Sequence, residues 1–134
     1  MARTTVTVCS CLQIIPCPHV YRYSRYDSRA RIELTDNPGV MGIPGTVRKS
    51  CSEENDAYSK KIEFSLAAVM PDTTDHLMRL SRSRLIALYV DESGNRRVMG
   101  SPTYPATLKW IDEGGVLKVM LACTQPWQDA FVEL

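Results

Sequence analysis

Apolar residues in this chain recur at every second position in several stretches and at helical spacing in only one. Val6 and Val8 share a face opposite Thr5 and Thr7, Ile62, Phe64 and Leu66 share one within Lys61 to Val69, and Val119 and Leu121 alternate with Lys118 and Met120. Successive side chains on a strand point to opposite sides, so each run buries one face of a sheet. The helical exception is Pro71 to Arg84. There Leu77 and Leu80 make a narrow stripe, Asp72 or Thr73 is placed to cap the first turn, and Asp75, Arg79 and Arg82 follow the helix dipole.

Punctuation divides the rest. Pro16 and Pro18 end the first strand, and Val20 to Leu34 reads as a strand or broken pair with Tyr21 and Tyr23 on one face and Ala30, Ile32 and Leu34 on another. Asp36-Asn37-Pro38-Gly39 is a turn. Val40 to Val47, with Gly42, Pro44 and Gly45, reads as a loop or short irregular strand, and polar Ser50 to Ser59 as a solvent-exposed loop. Two hairpins follow: Leu85 to Val90 returning through Arg96 to Met99, and Thr107 to Ile111 returning through Val116 to Cys123. Phe131 and Val132 suit a last strand. With 134 residues and no linker or repeat, residues 1–134 make a single domain. The expected class is α+β, mostly β: an antiparallel sheet, or a small barrel or sandwich, with one short helix.

Charge narrows the partners. Sixteen basic and fifteen acidic side chains leave no global field for nucleic acid or anionic lipid. Arginines cluster locally, at Arg22, Arg25, Arg29 and Arg31 and at Arg79, Arg82 and Arg84. No apolar run approaches the roughly 20 residues of a bilayer span. The first residues lead into alternation and not into an apolar leader, and the five cysteines are odd in number. Reduced thiols and cytoplasmic synthesis are expected.

Several constellations carry chemistry in principle. Cys9, Cys11, Cys17 and His19 are the right ligand types for zinc, but their spacing does not fit paired ligands on tight turns. Cys9 and Cys11 would share a strand face, which suits small buried hydrophobes better. Cys51 and His76 are the components of a thiol–imidazole pair, yet a loop thiol and a surface helical histidine account for them far better. Glu53, Glu54 and Asp56 lack the glycine and bidentate glutamate of a calcium loop. Tyr21, Arg22, Tyr23 and Arg25 interleave aromatics with cations, the combination that stacks bases and holds phosphates, although a strand sends Arg22 to the face opposite the tyrosines. Trp110 and Trp127 suit core or rim packing. No nucleophile elbow, phosphate loop, dinucleotide fingerprint or metalloprotease helix appears, so no catalytic, cofactor or metal residue is assigned.

A further pattern runs through the C-terminal half: the helix Thr74–Arg82, the strand Leu85-Ile86-Ala87-Leu88-Tyr89-Val90, the hairpin into Val98-Met99-Gly100-Ser101-Pro102, and Pro105 to Leu108. It resembles small structural, tail-module-like proteins of phages and prophages of Bacteroides-type bacteria, with Met99 where that pattern has leucine. The resemblance implies a non-enzymatic virion or tail component that works by assembly with itself or other structural proteins. It lends no catalytic residue. Two other expectations stand beside it: a nucleic-acid-binding module using Tyr21, Arg22, Tyr23 and Arg25, and a cysteine-dependent enzyme.

Overall fold

The computed structural model describes residues 3–35, 40–67 and 70–133. The strands are β1 (Arg3–Pro16), β2 (Val20–Tyr26), β3 (Arg29–Leu34), β4 (Met41–Glu54) and β5 (Ala57–Leu66), then, after helix α1 (Pro71–Ser81), β6 (Leu85–Val90), β7 (Arg96–Met99), β8 (Thr107–Glu113), β9 (Val116–Gln125) and β10 (Ala130–Glu133). They form one ten-stranded sheet in the order β2-β3-β10-β7-β6-β1-β4-β5-β9-β8. β10 runs parallel to β3 and every other pairing among the described residues is antiparallel. A single bridge, Leu85 to Ala106, brings the chain entering β8 back to β6 without closing a barrel. The expected β-rich domain with one short helix is therefore an open, mixed sheet.

This sheet has a core on each face. Leu12, Ile14, Ala87, Tyr89 and Met99 join Ile62, Phe64, Leu117, Val119 and Leu121 in the larger one, which Leu77 and Leu80 of α1 cover. Ile15, Ile86, Leu88 and Val98, their immediate neighbours in sequence, join Ala30 and Ala130 in the other. Strands β6 and β7 and the end of β1 are thus buried on both sides, which explains the unbroken apolar run of β6.

A bulge makes this possible. Ser10 pairs with Thr46 and Leu12 with Ile43, so Cys11 is left over on one strand and Pro44 and Gly45 on the other. Cys11 lies at φ 53° and Gly45 at φ 76°. A bulge is one of the few places where a sheet accepts proline. For this reason Val40 to Val47 is not a loop; from Met41 onward it belongs to β4.

Ser50 to Ser59 is likewise no loop. It is the tip of the β4–β5 hairpin, with Glu54 opposite Ala57 and Asn55 and Asp56 between them at φ 52° and 62°. Asn and Asp tolerate this left-handed geometry better than other side-chain-bearing residues, and it matches the twist of a two-residue hairpin. Polar composition hid two strands whose outer face meets solvent.

Helix α1 begins two or three residues earlier than a capping Asp72 or Thr73 requires. Met70 occupies the cap without a side-chain bond, Pro71 takes the first helical position, and the helix ends at Ser81. Proline has no N–H to leave unsatisfied there. The Asp36–Gly39 turn and the end of the Lys61 to Val69 strand lie outside the described residues.

Candidate functional site

The described residues bring together a buried polar centre around Asp129, just before β10. On β4 and β5 the same face carries Lys49 and, beside Cys51, Lys60. Each stands where alternation puts an inward residue: Lys49 between Val47 and Cys51, Lys60 in line with Ile62 and Phe64. The link from β9 to β10, Pro126 to Asp129, crosses this face and lowers one carboxylate between the two ammonium groups. Lys60 Nζ lies 2.5 Å from Asp129 Oδ1 and Lys49 Nζ 3.0 Å from Oδ2. The Lys60 side chain is 0% exposed and that of Asp129 2%.

Asp129 has no free acceptor left. Oδ1 also takes a bond from Gln125 Nε2 at 3.1 Å, Oδ2 takes one from the Tyr89 hydroxyl, and its carbonyl takes one from Arg97. Lys60 reaches onward to the Trp127 carbonyl at 3.1 Å. Gln125 turns its own oxygen to the Gly100 amide at 3.3 Å. Trp127 itself is held by Tyr104, edge to face at 5.4 Å, and by the Arg25 guanidinium 4.5 Å from its ring centre.

The electrostatics follow from burial and pairing. Burial alone would raise the Asp129 pKa, but Lys49 and Lys60 together hold the carboxyl below its ordinary range. Lys60 is shifted down, because burial and the like charge of Lys49 outweigh the pull of Asp129. Burial, then the neighbouring carboxylate, drives the Tyr89 phenol upward. Burial also pushes the thiols of Cys9 and Cys123 up to about 11. Both are thiols, not nucleophilic thiolates, at neutral pH.

A cavity of about 290 Å³ opens onto this centre, with Thr5, Thr7, Lys49, Tyr89, Gln128 and Asp129 among its walls. A wider depression of about 470 Å³ on β5, β8 and β9, walled by Phe64 and Trp110 and edged by lysines, lies apart from the polar centre. Chemically, the Asp129 centre has the marks of a pin. Its carboxylate is saturated and Lys60 is sealed off, so neither is placed to exchange a proton with a substrate, and the bonds tie the β9–β10 link to β4, β5 and β6.

The other residues singled out from sequence are dispersed. Cys9 is in the core and Cys11 is exposed at the bulge, so they do not share a face. Cys17 sits in the 3₁₀ turn Cys17–His19, and the nearest polar partner of His19 is Thr35, 3.4 Å from Nδ1. Among the described residues no three His, Cys, Asp or Glu side chains are grouped to hold a metal ion. Cys51 lies in β4, its sulfur 4.0 Å from Gln128 Oε1, while His76 lies on α1 against β8, with β5 and β9 between those strands. A register shift between Val20 and Arg22 separates Tyr21 from Tyr23: Tyr21 is 71% exposed, whereas Tyr23 packs into the second core. Arg25 is spent on Trp127. The Tyr/Arg stretch is thus not a continuous stacking platform. Trp110 packs at the edge of the larger core. No described helix is long and apolar enough to cross a membrane.

The Asp129 centre has a pH signature. Asp129 titrates below the unfolded value of 3.8, so its stabilisation is complete above that pH and is lost as pH falls through the folded value. Cys9 and Cys123 titrate above their unfolded value of 9.0, so their contribution is complete below pH 9 and fades as pH rises toward about 11. Lys60, lowered from 10.5, works the other way at the alkaline end. Urea midpoints across pH should therefore fall at both extremes, and Cys9→Ala should lessen the alkaline fall, which Cys123 and Tyr89 also drive, while leaving the acid one.

No protein-family model, curated protein or solved structure matches this chain.

Proposed function

We propose that this protein is a non-enzymatic structural component that assembles through protein–protein contacts, in the first place with a second copy of itself. The observation that carries the reading is the open stretch at the start of β1. Residues Arg3 to Cys9 pair with β4 on one side, and β6 joins β1 only from Ser10 onward. Along residues 3–9 no described strand occupies the other side. The Val8 amide points that way, donating to Glu92 Oε1 at 2.8 Å, so by alternation the main chain of Thr4 and Val6 does as well.

Two side chains on this stretch are apolar and exposed, Val6 at 52% and Val8 at 46%. Together with Thr4, Thr5 and Thr7 they make a run of strong β-formers with no proline, charge or bulge. The outer strands are better guarded against pairing. β8 carries Lys109, Asp112 and Glu113, and β2 carries a bulge and two arginines. A two-fold antiparallel pairing centred on Val6 would cover the same residues in both copies. A phage or prophage tail as the setting is proposed from the resemblance of the C-terminal half alone.

Val6→Lys tests this without touching a core. Light scattering should show the unaltered chain self-associating with concentration and the variant staying monomeric, with equal thermal stability at concentrations where both are monomers. A monomer in both at high micromolar concentration contradicts the reading.

A further inference from the structure

We propose that the cavity between β1, β4 and the Asp91–Ser93 loop binds a small monocarboxylate, with Lys49 as its charge partner and the hydroxyls of Thr5 and Thr7 as further donors. Donors outnumber acceptors at the inner end of this cavity. Innermost are two ammonium groups, Lys49 and Lys60, against one carboxylate, Asp129. That leaves the Lys49 ammonium sharing its only ion-pair partner among the described residues, because the other carboxylates lining the cavity, Asp91 and Glu92, belong to the loop at its mouth.

Asp129 cannot supply more, since each of its oxygens already has two partners. Among the described residues Lys49 has no other anionic partner, and an ammonium group carries three donors. Its side chain is 11% exposed, and it lines the cavity. Acceptors run short nearby as well: the buried Nε of Arg97 finds none. An inner end where a nearly buried ammonium group keeps unused donors favours an anionic acceptor.

The mouth limits which one. Asp91 is engaged by the amides of Ser93 and Asn95 and by Arg97, and Glu92 by the Val8 amide. Neither is within ion-pair distance of Lys49, and both repel a second negative group at the ligand's outer end. A volume of about 290 Å³ lies just below the roughly 300–1,000 Å³ of sites for drug-sized ligands, so the acid is small.

Thermal unfolding of the full chain at constant ionic strength tests this with sodium propionate, sodium succinate and sodium chloride. Propionate should raise the melting temperature saturably above chloride, succinate should raise it less, and Lys49→Met should abolish the difference. Equal curves in propionate and chloride, or a propionate effect that survives in Lys49→Met, overturn the proposal. Amide NMR of the unaltered protein gives a reading that does not depend on the variant folding. Propionate should move the signals of Thr5, Thr7, Cys51 and Gln128; no movement, or movement only elsewhere, counts against the site.

Discussion

Asp129→Asn should lower stability by about 3–5 kcal/mol, the usual result of removing one partner from a buried ion pair. Against a total of roughly 5–15 kcal/mol, that is a large share, and at the low end of the range it leaves much of the protein unfolded. The substitution keeps the shape of the side chain and removes the charge that two buried ammonium groups share. It also turns an amide N–H₂ toward groups that are themselves donors: Lys49, Lys60, Gln125 and the Tyr89 hydroxyl. Lys60→Met is the informative contrast. It leaves Asp129 matched one to one with Lys49, fills the volume of the lysine stem, and strands only the Trp127 carbonyl. Its expected loss is about 1–2 kcal/mol. Urea denaturation of both variants reads the difference, and equal losses would mean that charge balance is not what holds the β9–β10 link.

The second large effect comes in a neighbouring pair. Ile14→Ala and Ile15→Ala should each cost about 2–5 kcal/mol, since both residues are fully buried in well-packed surroundings. On a sheet with one wet face, one of two consecutive residues would be nearly silent. Here Ile14 enters the core shared with β5 and β9, and Ile15 the one shared with β3 and β10. One large and one small loss would show that the second core does not form.

How much of this was legible beforehand varied with the reach of the interaction. β6 and α1 were readable because their determinants are local, an unbroken apolar run and two leucines one turn apart. Within the β4–β5 hairpin, Ile62, Phe64 and Leu66 mark a strand, but the tip from Ser50 to Ser59 is hidden because Ser, Lys and Glu on an exposed strand face look like loop composition. The two turn residues, Asn55 and Asp56, were the available sign. Lys60 was half legible, a lysine in register with Ile62 and Phe64 and so directed inward. Asp129 gave no such hint. Its partners come from β4, β5, β6 and β9, with Lys60 separated by 69 positions and Tyr89 by 40, and no local pattern links them. The bulge at Cys11 was equally hidden, because it is defined by what β4 places opposite.

In the proposed contact-built role, the saturated Asp129 centre braces the sheet that presents the open stretch of β1. Residue-resolved hydrogen exchange, followed as protein concentration is raised, looks at that edge directly. Docking of a second copy predicts that the Thr4 and Val6 amides become slower to exchange as concentration climbs, while the amides facing outward on β2 and β8 keep their rates. Unchanged rates at Thr4 and Val6, or slowing confined to β2 or β8, would contradict it.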